Sequence, residues 1–91
     1  MGTVAEGMIE KLTARFSPTK IELRDDSSRH AGHGGAHPDG ESHFSLTIES
    51  DAFTGLNRVQ RQRLVYGALA EELKARVHAL SVTALAPGEA A

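Results

Sequence analysis

An α+β two-layer sandwich, with a three-stranded mixed sheet covered on one face by helices, is the fold class this sequence predicts. Three observations carry that expectation: a helix-spaced apolar stripe near the N-terminus, two alternating strand patterns on either side of a long glycine-rich loop, and a helical stretch leading into a third strand pattern. The chain has 91 residues, which suits one domain over 1–91 near the lower size limit for a core without covalent staples.

The first element is a helix from about Val4 to Phe16. Thr3 followed by Glu6 is a capping-box pattern, and Val4, Met8, Ile9, Leu12 and Phe16 recur at helical spacing before Ser17-Pro18 stops the run. Two strands follow. Ile21 and Leu23 alternate with Lys20, Glu22 and Arg24, and Phe44, Leu46 and Ile48 alternate with Ser45, Thr47 and Glu49. Between them residues 25–40 hold glycines, histidines and one proline but no large apolar side chain. Nothing there offsets the entropy of ordering, so a flexible His/Gly-rich loop is expected, of a length that usually signals function.

Gly55 interrupts the next segment, after which Asn57 and Gln60 can cap a helix running to about Arg76 with Val59, Val65, Leu69 and Leu73 inward. Val77 to Leu85 returns to a strand pattern, with His78, Leu80, Val82 and Ala84 on one face, and Pro87-Gly88 ends it in a short tail, 86–91. A helical connection of this length lets the last strand lie parallel beside the second through a right-handed crossover.

The composition narrows the function. Twelve acidic residues nearly cancel ten basic ones, so the chain lacks the overall basic excess of a nonspecific polyanion binder and any nucleic-acid site must be a local patch. There is no cysteine, which removes disulfides, thiol nucleophiles and cysteine-based metal sites, and is consistent with a reducing compartment. Residues 1–10 lack the basic and apolar regions of a secretory leader, and no segment is long and apolar enough to span a bilayer; a cytoplasmic location with no membrane partner is expected. No P-loop, dinucleotide fingerprint or serine–histidine–acid pattern is evident, Asp25-Asp26 reads as a solvated turn and Tyr66 as a packed helix residue, so no enzyme activity is expected.

Gly40-Glu41-Ser42-His43-Phe44, the run from Phe53-Thr54-Gly55-Leu56-Asn57-Arg58 to Arg61-Gln62-Arg63-Leu64-Val65-Tyr66, and Leu69-Ala70-Glu71-Glu72-Leu73 through Val77-His78-Ala79-Leu80 closely resemble the BolA family over nearly the whole chain. Gln62 departs from a common histidine, and the loop is longer than in the shortest members. The resemblance implies a class II KH-like fold in αββααβ order. It also implies partnership with a monothiol CGFS glutaredoxin and a [2Fe-2S] cluster shared with that partner and glutathione, with no cofactor expected on the isolated chain. The family's ligand positions fall on His78, near the start of the last strand, and on His30 or His33 in the loop.

The absence of cysteine restricts this independently. Cluster irons generally take thiolates, although histidines replace two of them in Rieske centres, so this chain could supply only a nitrogen half. For His78 the bland alternative is a strand-end histidine hydrogen-bonded into the fold; for His30, His33 and His37 it is an exposed loop that picks up divalent metal adventitiously. His43, at the start of a strand, reads better as a hydrogen-bonding or structural residue than as a ligand. Arg58, Arg61 and Arg63 form a basic group at the start of the long helix. A solvated helix face is the ordinary explanation; contact with an acidic partner surface or with DNA, as a transcriptional regulator, is the functional one. Gly55 is followed by Leu56, Asn57 and Arg58 with no second glycine, so the GXXG grip of RNA-binding KH domains is not expected there.

Overall fold

The computed structural model describes residues 3–26, 43–75 and 77–89. The expected loop, with His30, His33 and His37, lies outside the described residues apart from Asp25 and Asp26. Helix α1 (Thr3–Phe16) is followed by strands β1 (Lys20–Asp25) and β2 (His43–Glu49), a 3-10 turn (Asp51–Phe53), helices α2 (Arg58–Ala68) and α3 (Ala70–Ala75), and strand β3 (Ala79–Leu85). The sheet order is β1-β2-β3, with β1 antiparallel and β3 parallel to β2. This is the mixed α+β arrangement the strand and helix patterns predict.

Alternation sorts the sheet into two faces. Leu23 lies opposite Leu46 and Ile21 opposite Ile48, while Phe44, Leu46 and Ile48 pair with Leu80, Val82 and Ala84. These apolar rows meet Ala5, Met8, Leu12 and Phe16 of α1 and Val65 of α2, with Leu69, Phe53 and Val77 completing the core. The other face carries Arg24 opposite Ser45, Glu22 opposite Thr47, and Ser81 and Thr83 on β3, and none of the described helices covers it.

The element ends explain themselves locally. The N–H of Ser17 donates to the Thr13 carbonyl at 3.0 Å with Ser17 at φ 45°, a left-handed stop to α1 that Pro18 makes final. At α2 the Asn57 side chain accepts from the Gln60 N–H and the Gln60 side chain accepts from the Asn57 N–H, both at 2.9 Å, which is the capping box read from the sequence. Lys11 on α1 reaches Glu72 on α3 at 2.9 Å and so ties the two helices together.

Three expectations need correcting. The helix expected to run unbroken to Arg76 bends at Leu69, whose φ of −108° and ψ of 20° leave the helical region while its side chain stays fully buried. Val59 is 54% exposed rather than inward. At about 100° per residue it stands roughly 120° around the helix from Val65, outside the apolar stripe. His78 precedes β3 at a bend and is exposed, because regular alternation begins only at Ala79; Leu80 and Val82 alone make the fully buried part of that face.

Candidate functional site

Parallel pairing places the starts of β2 and β3 at the same end of the sheet, with His43 opposite Ala79. His78 is therefore the residue just before the partner of His43. The two imidazole centroids are 6.2 Å apart with ring planes inclined by 29°. His78 is exposed and His43 half-buried, so both rings border solvent. The sequence places these residues 35 positions apart, and only the parallel register, which the crossover length implies, brings them together. His43 was expected to be structural, and its position beside His78 is the feature that reading of the strand alone does not reveal.

Asp26 closes the third side of this end. Its N–H donates to the His43 carbonyl at 2.7 Å, which extends the β1/β2 ladder by one step. Its carboxylate accepts from the Arg24 Nε at 2.7 Å and from the Ser45 hydroxyl at 2.5 Å. The hydrogen bond that Arg24 donates to Asp26 in turn raises its guanidinium pKa. Asp26 is thus held in a polar network, not left as a solvated turn. Among the described residues, no group of three or more His, Cys, Asp or Glu is placed to hold a metal ion. This end of the sheet brings together two imidazoles among the described residues.

A groove of about 500 Å³ runs from this end along β3 toward α2, bordered by Asp26, His43, Ser81, Arg58, Gln62 and Tyr66. Tyr66, expected to be packed, is partly exposed and donates its hydroxyl to the Leu80 carbonyl at 3.1 Å. That bond covers one outward carbonyl of the β3 edge. Arg61 covers another, its Nη1 donating to the Ala84 carbonyl at 3.0 Å.

The three arginines do not form one surface. Arg61 also donates from Nε to the Leu56 carbonyl at 2.9 Å and grips both carboxylate oxygens of Glu89. The hydrogen bonds from Arg61, followed by one from the Ala86 N–H, hold the Glu89 carboxyl down at about 2. Arg61 is therefore a clamp between α2, the end of β3 and the following turn, and its charge is already matched. Arg58 and Arg63 are exposed, but Arg63 lies about 160° around the helix from Arg61.

The family model for BolA-like protein matches residues 12–89. Among curated proteins, the chain is 49% identical over 84 residues to SufE-like protein 1 of Arabidopsis thaliana, covering 88% of this chain and 23% of that protein. It is 42% identical over 89 residues to BolA-like protein 1 of Homo sapiens, covering 98% of this chain and 62% of that one. It is 43% identical over 79 residues to the DNA-binding transcriptional regulator BolA of Escherichia coli, covering 87% and 71%. The chain spans less than two thirds of the length of the first two. Among solved structures, the BolA domain of SufE1 from Arabidopsis thaliana superposes with a TM-score of 0.89 at 44% identity, covering 99% of both chains. BolA1 from the same plant superposes with a TM-score of 0.85 at 37% identity over the whole of both chains. With a family model matching residues 12–89 and a fold that superposes on those structures over almost its whole length, this chain belongs to the BolA-like protein family.

Proposed function

We propose that this chain is a non-enzymatic adaptor that pairs with a monothiol CGFS glutaredoxin and shares with it a glutathione-ligated [2Fe-2S] cluster, in iron–sulfur trafficking or in iron and redox regulation. The observation that carries the reading is an exposed imidazole, His78, at an open strand start in a chain with no cysteine. Such a chain can contribute nitrogen to a cluster but no sulfur, so a partner must supply the thiolates.

The donor set fits a nitrogen half-site. His78 stands at the end of the sheet where β1 finishes and β2 begins, and where the loop carrying His30 and His33 is anchored at both its ends. His30 is four residues beyond Asp26, so the chain reaches at most about 14 Å from that anchor. That reach makes one loop histidine a natural second nitrogen. The exposed Arg58 and the groove beside Gln62, which His43 and Ala79 also line, would give the partner a polar surface at this end of the sheet. When bound, the cluster supplies a redox-active and transferable iron centre. Neutral imidazole in place of thiolate lowers the negative charge of such a centre and makes its ligation acid-sensitive, because protonation of a ligating nitrogen competes with iron.

The test is the visible absorption and circular dichroism of a cluster-loaded monothiol glutaredoxin with glutathione, titrated with this protein and with its His78→Ala variant. A saturable change with the wild type, lost in a variant whose unfolding free energy stays within about 0.5 kcal/mol of it, is the expected result, since an exposed side chain contributes little to stability. An unchanged donor spectrum with the wild type refutes the reading.

The name of the Escherichia coli relative favours a second reading, DNA binding. On this chain it would rest on Arg58 and Arg63, because Arg61 is held by Glu89. It requires duplex affinity that falls steeply with salt and drops when Arg58 and Arg63 become alanine.

A further inference from the structure

We infer that His43 and His78 form a two-imidazole chelate for one borderline divalent ion of the Zn²⁺ or Cu²⁺ kind on the protein by itself. The inference goes beyond the cluster reading and does not depend on it. It uses only residues fixed at the strand starts.

The geometry is the first argument. A coordinating nitrogen lies about 1.1 Å from its ring centroid and binds such an ion at about 2.1 Å, so an ion sits roughly 3.2 Å from each centroid. Two rings on one ion are then roughly 5.2 Å apart at a tetrahedral angle and at most about 6.4 Å apart. The observed separation is 6.2 Å. The pair stands inside the outer limit and about 1 Å wider than the tetrahedral spacing; the rings are stacked, with planes inclined by only 29°, so binding requires the exposed His78 ring to turn until its nitrogen faces the same point as that of His43.

The backbone is the second argument. His43 is the first residue of β2 and is bonded through its carbonyl to Asp26, and His78 is followed at once by Ala79, which pairs with His43. The ladder fixes the His43 Cα, and His78 is joined directly to its first β3 residue, so little backbone ordering is needed when the ion arrives and the entropy cost of assembling a chelate falls.

The chemistry of the donors is the third. Imidazole nitrogen suits zinc, copper and nickel and is a poor ligand for calcium or magnesium. With no third described protein ligand, the ion retains positions for water or a small-molecule ligand, as an open zinc site does.

The experiment begins with a background in which the loop histidines are removed, His30→Asn, His33→Asn and His37→Asn together, so that loop binding cannot contribute. Isothermal titration with Zn²⁺ is run on this protein and on two derivatives that add His43→Asn or His78→Asn, with far-UV circular dichroism confirming equal folding. Histidine ring resonances are followed by NMR in parallel. The expected result is one equivalent of Zn²⁺ bound by the background protein, the His43 and His78 ring signals shifting together, and at least tenfold weaker binding in each derivative. Loss of binding in the background protein, or unchanged affinity after His43→Asn, overturns the inference. The cluster titration uses a different donor and a different readout, so failure of either idea leaves the other standing.

Discussion

Replacing Ser50 by alanine should cost this domain far more than the loss of one small side chain suggests. Ser50 is 1% exposed and joins four elements. Its hydroxyl donates to the Phe16 carbonyl at the end of α1 at 2.5 Å and accepts from the Ala52 N–H at 3.1 Å, capping the 3-10 turn. Its own N–H donates to the Leu85 carbonyl of β3 at 2.9 Å, and this backbone bond survives the substitution. Alanine leaves the Phe16 carbonyl without that donor in a buried setting, a penalty of about 1–3 kcal/mol, and removes a cap worth about 1 kcal/mol. The expected loss is about 2–4 kcal/mol, a large share of the stability of a small domain. At this chain length that lowers Tm by roughly 10–25 °C. Urea unfolding of the variant should show a lower midpoint at unchanged slope. Ser81→Ala, on the open face of β3, serves as the control and should stay within about 0.5 kcal/mol of the wild type. A Ser50→Ala loss below about 0.5 kcal/mol would refute the reasoning, because it would mean that water or a neighbouring donor satisfies the Phe16 carbonyl.

Acid should loosen the clamp at the other side of the same end. The Glu89 carboxyl sits at about 2 against an ordinary 4.5, so its contribution is fully present above pH 4.5 and disappears as the pH falls from there toward about 2. In Arg61→Gln the Glu89 carboxyl, followed by ¹³C NMR, should titrate back toward the ordinary range and the acid dependence of stability over that window should flatten; an unmoved titration would show that Arg61 is not the cause. Ser17, at φ 45° without a glycine's freedom, should be improved by Ser17→Gly, since relief of left-handed strain of about 1–2 kcal/mol exceeds the added entropy of the unfolded chain. Thermal unfolding should show a higher Tm, and a decrease would mean that the Ser17 side chain makes a contact worth more than the strain.

The sheet was legible because each strand presents a period-two apolar row, and a half-buried sheet allows no other reading of Phe44, Leu46 and Ile48. The parallel placement of β3 followed from the length of the helical connection. What the sequence did not reveal depends on single residues at element boundaries or on long-range pairing. Val59 looked apolar and helical, yet its angle around α2 excludes it from the core. His78 looked like part of the Leu80 face because the strand pattern in the sequence begins at Val77, whereas the ladder begins at Ala79. Arg61 shares a composition cue with Arg58 and Arg63, and nothing in that cue indicates that a glutamate 28 residues away claims it. The candidate site was legible in its donor types and in His78, but the partner of His78 within the described residues emerges only when β2 and β3 are laid side by side in register.

That register also separates stability from function along the strands. At the C-terminal ends of β2 and β3 stand Ser50, the Arg61–Glu89 clamp and Thr19, which bonds the Glu49 carbonyl through its N–H at 2.9 Å. At the N-terminal ends stand His43 and His78, where Tyr66 bonds the Leu80 carbonyl and Asp26 bonds Ser45. Six residue steps of β2 put about 20 Å between the two ends. An antiparallel β3 would have put its first residues beside Glu49 and carried His78 into the clamp. The parallel pairing instead leaves both imidazoles on an end whose side chains can change ligands without disturbing the contacts that keep the domain folded. For a chain without cysteine, that end is where the proposed partner-held cluster would be met by nitrogen.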